Sequence, residues 1–116
     1  MKRRFRLRRS TDFERVRRSG KSYAHPFVVV IKHPNNLAFS RFGFSAGRSV
    51  GNAVQRNRAK RRIREIVRLR MNKIQPGWDL VFLARKSIHE AGFDELRAAI
   101  DLLLERAGVV ERNYVN

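Results

Sequence analysis

Residues 51–66 read GNAVQRNRAKRRIREI. From Arg56 to Arg70 the chain carries eight basic residues and a single acid, Glu65. Wound at 3.6 residues per turn, Ala59, Ile63, Ile66 and Val67, with Ile74 further on, fall in one apolar stripe. Asn57, Arg61, Arg64 and Arg68 fall together on another side. Arg58 and Arg62 flank the remaining surface, and Lys60 lies at the border of the stripe. The pattern predicts a helix running to about residue 72, opened by a capping box at Asn52 and Gln55. An exposed helix face ordinarily balances its charges in i,i+4 pairs. One glutamate cannot balance eight cations, so a polyanion from outside the chain must offset their repulsion.

The rest of the chain supports that inference. Its 116 residues suit one domain, and 42% hydrophobic residues with eight Phe suffice for a core. Net charge is +17, well beyond what solubility needs. Arg outnumbers Lys 21 to 6, and guanidinium binds phosphate bidentately and stacks on bases where ammonium acts as a point charge. The charge is also lopsided. Residues 1–86 hold 24 basic and 4 acidic side chains, whereas residues 87–116 hold 3 and 6. The polyanion is therefore expected on the first three quarters of the chain, with the last helix facing away. Cysteine is absent, which excludes disulfides and thiolate metal sites and fits a reducing cytoplasm. No apolar run reaches membrane-spanning length, and no helix pairs a broad apolar face with interfacial aromatics, so a membrane partner is not expected.

Outward from the basic helix, the reading is of a single α+β domain. Residues 1–9 form a basic arm with Phe5 and Leu7 as anchors, and residues 10–110 the globular core. Thr11 and Glu14 suggest a capping box opening a short helix, with Phe13 and Val16 on one face and Gly20 as a left-handed terminator. A short strand is expected near Ser22 and Tyr23. Residues 27–32 read as a buried strand. Residues 39–46 alternate, setting Phe42 and Phe44 against Arg41, Gly43 and Ser45, and the two runs are expected to pair as an antiparallel hairpin. Residues 79–84 form a further buried strand. A last helix over about 93–107 carries the stripe Phe93, Leu96, Ile100, Leu103, Leu104 and Ala107, closed by Gly108.

The chemistry available is that of binding. A row of Arg headed by Asn57 suits a phosphate backbone, with Asn57 able to reach a base or sugar edge. Phe13, Phe27 and either Phe42 or Phe44 could stack on unpaired bases, although core packing explains each of them singly. Hydrolysis of a phosphodiester by a protein site needs clustered carboxylates or a His pair. Asp12, Glu14, Glu65 and Asp79 are scattered and suit duller roles as cap, ion-pair partner or strand edge. His25, His33 and His89 lack metal-ligand spacing. No catalytic residue and no metal site is expected in this chain. A small Arg-rich ribosomal protein would share its charge and core, and a DNA-architectural protein is the weaker alternative.

The pattern Gly51-Asn-Ala-Val-x-Arg-Asn-Arg-x-Lys-Arg-x-x-Arg64 resembles the protein subunit of bacterial ribonuclease P, the RNA-based enzyme that removes the 5′ leader of precursor tRNA. The opening RLRRSTDF, the strand at Phe27, the GFS of residues 43–45 and the ARK of residues 84–86 extend the likeness over nearly the whole chain. The resemblance implies an α-β-β-β-α-β-α fold of the ribosomal protein S5 domain 2-like type, with a left-handed βαβ crossover. It implies that Arg56, Asn57, Arg58, Lys60, Arg61, Arg64 and Arg68 contact the ribonuclease P RNA. It places Phe13, Arg17, Phe27 and Arg48 in or beside a cleft for the single-stranded leader of precursor tRNA. Relatives often carry Phe where this chain has Arg17, and some carry Tyr where it has Val30, so a phosphate contact from Arg17 would replace stacking there. Catalysis would rest with the RNA and its Mg²⁺, with one protein per RNA.

Overall fold

The computed structural model describes residues 1–111. Three helices, α1 (Ser10–Ser19), α2 (Ala53–Arg68) and α3 (Phe93–Arg106), surround four strands, β1 (Lys21–Ala24), β2 (Val28–Pro34), β3 (Arg41–Ala46) and β4 (Trp78–Ala84). The order along the chain is the α-β-β-β-α-β-α implied by the resemblance.

The expected hairpin does not form. The sheet runs β1-β2-β4-β3, with β4 inserted between β2 and β3. β2 pairs antiparallel with β1 and β4, and β3 runs parallel to β4, joined to it through α2. Burial decides the order. Leu80 and Phe82 of β4 point to one face and Val81 to the other, and all four side chains of residues 79–82 are fully buried. A strand apolar on both faces belongs in the middle of a sheet covered on both sides. The link of residues 35–40 between Pro34 and Arg41 is long enough to step over it.

Alternation along the strands then builds two cores. On one face Leu7, Val16, Ile31 and Val81 pack together, with Phe13, Val29 and Leu83 at the margin, beneath α1. On the other, Val28, Val30, Phe42, Phe44, Leu80 and Phe82 meet Ile63, Ile66 and Val67 of α2 and Leu96, Ile100, Leu103 and Leu104 of α3. Val30 is therefore in the core on the face away from α1, where a tyrosine would bear on packing and not on a groove beside α1.

Other local expectations shift. α1 starts at Ser10 without a side-chain cap, and Asp12, inside its first turn, pairs with Arg15 instead. Gly20 is extended, with φ −84° and ψ 170°. Glycine is needed there for closeness, because a Cβ would stand 2.5 Å from the Val16 carbonyl and 2.7 Å from Ile31 Cγ2. The Asn52–Gln55 capping box forms in both directions. α2 stops at Arg68, a turn early, and Ile74 reaches the core from the following connection. Phe93, first in α3, is 53% exposed, while the rest of its expected stripe is buried and Gly108 takes a positive φ of 70°.

Candidate nucleic-acid interface

α2 is held by Ala59, Ile63, Ile66 and Val67, each at most 2% exposed, which fixes where its cations point. Their surroundings separate them into three groups. Arg62 turns toward the segment before α3 and donates to the Ile88 and Ala91 carbonyls. Arg70, just past the helix, pairs with Asp101 of α3. This side of α2 is structural. At the N-terminal turn Arg56 donates to the Gly51 carbonyl at 2.9 Å, while Arg58 is exposed.

The opposite side faces the edge of β3. There Asn57, Lys60, Arg61 and Arg64 line a hollow of about 420 Å³ floored by Phe44. Among the described residues neither Arg61 nor Arg64 pairs with a carboxylate. Arg68 differs from the expected free row, because its guanidinium holds Glu65 at 2.6 Å. Both partners of that pair are about half exposed, so the contact is solvent-screened and exchangeable. α3 and its acids lie beyond the structural side, away from this hollow.

One member of the hollow lies outside the helix pattern. Arg6, from the N-terminal arm, completes it. The arm lies along β3: Arg6 forms a parallel bridge to Phe42, the Leu7 N–H donates to the Phe42 carbonyl at 2.8 Å, and Leu7 is 3% exposed. Burial, then the nearby Arg64 and Arg8 charges, lowers the Arg6 pKa from its ordinary value, yet a guanidinium stays cationic at neutral pH. Its Nε is buried without a protein partner. A cation brought toward like charges, with a donor left over, is a local cost that a bound phosphate would relieve.

A second hollow, of about 450 Å³, opens beside α1 and is lined by Arg8, Phe13, Arg17, Ser45 and Ala46, with Glu14 as its one acid. It shares Lys60 and Phe44 with the first, so the two make one basic surface running from α2 across β3 to α1. Phe13 sits low because Gly43 lies under it; a Cβ there would come within 2.7 Å of the ring. Of the four residues expected around the leader, Phe13 and Arg17 line this hollow. Phe27 and Arg48 do not, but the strand register sets both at the end of the sheet where Ala46, a lining residue, lies. Val28 pairs with Ala84, and Ala84 with Ala46, so Phe27 lies two strands across from Ala46, a span of about 10 Å. The Phe27 ring leans on His25 at 5.1 Å and on the core of the far face. Arg48 is exposed on the turn after β3.

The largest feature that the sequence concealed is Asp79. Its carboxylate is fully buried and receives Arg41 at 2.9 and 2.8 Å, Arg15 of α1 at 2.8 Å and Asn35 at 3.0 Å. Burial disfavours the charge, but hydrogen bonds from Arg41, Asn35 and Arg15 outweigh it and hold the pKa below the ordinary value. Asp79 is thus a clamp between α1 and the sheet, not a strand-edge residue.

Comparison with known proteins agrees with this geometry. Residues 1–108 match the family model described as Ribonuclease P. The Ribonuclease P protein component of Roseiflexus castenholzii is 45% identical over 112 residues, covering 96% of this chain and 92% of that protein. The corresponding protein of Clostridium novyi is 41% identical, covering 94% and 98%. Among solved structures, the Staphylococcus aureus RNase P protein superposes with a TM-score of 0.83 at 29% identity, covering 92% of this chain and 98% of that one. The family match over residues 1–108, the identity to these relatives and the shared fold show that this chain belongs to the ribonuclease P protein family.

Proposed function

We propose that this chain is the protein subunit of ribonuclease P, working with the ribonuclease P RNA to remove the 5′ leader from precursor tRNA in the cytoplasm. The observation that carries the reading is the carboxylate-free hollow of Arg6, Lys60, Arg61 and Arg64, held open by a helix whose opposite side is locked in the core. Four cations fixed in one concavity match a phosphate run in folded RNA, and Asn57 at the rim offers donors and an acceptor for a base or sugar edge. Arg56, Arg58 and Arg68 would extend this contact along α2.

The hollow beside α1 suits the leader. Phe13 offers a ring for an unpaired base, Arg17 and Arg8 take its phosphates, and Phe27 and Arg48 continue the path at the same end of the sheet. Lys60 and Phe44, common to both hollows, would bring the two RNAs together over one surface. The chain's contribution to the rate is then to lower repulsion between two polyanions and to favour leader-bearing precursor over mature tRNA. Among the described residues no three His, Asp or Glu side chains gather as a metal ion would need. On the family resemblance, we assign the reaction's Mg²⁺ and the hydrolytic chemistry to the RNA, and one protein to each RNA.

The test is precursor-tRNA cleavage at low Mg²⁺ by a bacterial ribonuclease P RNA, with and without this chain. Rescue of cleavage is expected. A ribosomal RNA-binding protein would bind RNA in low salt without restoring cleavage, and that outcome would overturn the reading.

A further inference from the structure

The N-terminal arm has a second end. Beyond Arg6, the Phe5 ring packs edge-on against Phe39, with centroids 5.5 Å apart and planes at 76°. The Arg4 guanidinium lies over both, 4.7 Å from the Phe5 centroid and 5.6 Å from that of Phe39. Beside these rings is a hollow of about 370 Å³ walled by Phe5, Phe39, Phe42, Met71 and Ile74, with Asn72 on its rim. It lies apart from the two basic hollows and shares no lining residue with the pair beyond the strand that carries them all.

None of its lining residues is acidic; Lys2, Arg3 and Arg4, in the turn that ends at Phe5, and Lys73, between Asn72 and Ile74, are exposed. Apolar packing alone would not call for cations next in the chain to the lining residues, and phosphate binding alone would not call for the aromatic wall. An unpaired nucleotide satisfies both, with its base on the rings and its phosphate among the cations. The planar guanidinium resting on Phe5 shows that the ring face accepts a flat group; a base stacking there would take its place and free Arg4 for the phosphate. Continuity points to RNA as its source. Phe42, in the wall, carries the backbone bond and bridge that hold Leu7 and Arg6, so the arm rigidly joins this hollow to the cationic edge of α2.

We propose that the hollow beside Phe5 and Phe39 receives an unpaired base of the same RNA that lies along α2. This rests on the RNA-binding reading above. The test measures affinity of the full chain for a bacterial ribonuclease P RNA across a salt series. Phe39→Leu keeps an apolar side chain and removes the ring; Phe39→Trp keeps a stacking surface. Phe39→Leu is expected to weaken binding about five- to hundredfold, the range of base–aromatic stacking, with an unchanged salt slope because no charge is lost. Phe39→Trp should bind as the parent does. Should Phe39→Leu not fold, Phe5→Leu, on the arm, repeats the measurement. Parental affinity in Phe39→Leu would overturn the proposal, as would equal losses in the Leu and Trp variants. A changed oligomeric state with unchanged RNA affinity would do the same, by making the hollow a protein contact. If the parent chain itself does not bind the RNA, the functional reading falls first; if Arg61→Ala weakens binding and Phe39→Leu does not, only this proposal falls.

Discussion

Arg15 and Arg41 converge on the buried carboxylate of Asp79, whereas Arg61 and Arg64 line an open hollow with no carboxylate against them. The side chains are chemically identical, and the difference lies in what the fold brings to each. In the first place three long-range donors and a desolvated acceptor complete one another, so charge serves to hold α1 to the sheet. In the second, guanidinium groups extend from a helix anchored in the core and are left uncompensated, so their electrostatic potential is available to a partner. A count of arginines does not separate structure from binding; the location of the ten acids does.

The sharpest way to break this contrast is Asp79→Asn, which leaves Arg15 and Arg41 facing a neutral amide. Loss of one partner of a buried pair costs about 3–5 kcal/mol, and partial exposure of both arginines argues for the lower end. Urea unfolding should show it. The sign with pH follows from the depressed carboxyl pKa: the clamp stabilises above the ordinary Asp range near about pH 4 and loses that contribution as pH falls through the lower folded value. Asp79→Asn should therefore flatten the acid limb of the stability profile.

Next in size, the double change Arg61→Ala with Arg64→Ala should leave the unfolding midpoint in place while reducing affinity for the RNA subunit about tenfold to thirtyfold. The log–log salt slope should become shallower by about 1.5, near 0.7–0.9 for each phosphate that is no longer neutralised. An unchanged slope would put these arginines among the structural ones and erase the distinction. Gly43→Ala tests the seam between the regions: its Cβ would press on Phe13, costing about 1–2 kcal/mol by overpacking and weakening leader-bearing precursor more than mature tRNA. The smallest effect is expected from Glu65→Gln. It releases Arg68 from an exposed pair and should raise RNA affinity by no more than about threefold at low salt, fading as salt screens the charge.

Strands, helices and the cationic edge were legible because each has a local signature: a continuous apolar run marks β2, alternation marks β3, a 3.6-residue stripe marks α2, and Asn52 with Gln55 marks its start. The local caps were less secure. Thr11 with Glu14 has the form of a capping box, but the first turn begins earlier and Asp12 is drawn to Arg15. Sequence neighbours also misled about the sheet, since β2 and β3 are close in the chain but β4 separates them. The site was half visible. Asn57, Arg61 and Arg64 share one helix edge and could be grouped by angle alone; Arg6, about fifty residues away, could not.

What the amino-acid sequence determined by itself is a basic, core-forming α+β chain whose longest cationic run exceeds its local acids, because propensity, periodicity and charge are properties of neighbouring residues. The tertiary structure decided which cations remain available. It placed β4 at the centre of the sheet, buried Asp79 beneath Arg15 and Arg41, turned Arg62 and Arg70 toward α3, and carried Arg6 to the edge of α2. Each of these depends on contacts between residues far apart in the chain, and the free energy of such contacts is set only when the sheet order and the two packed faces are settled together.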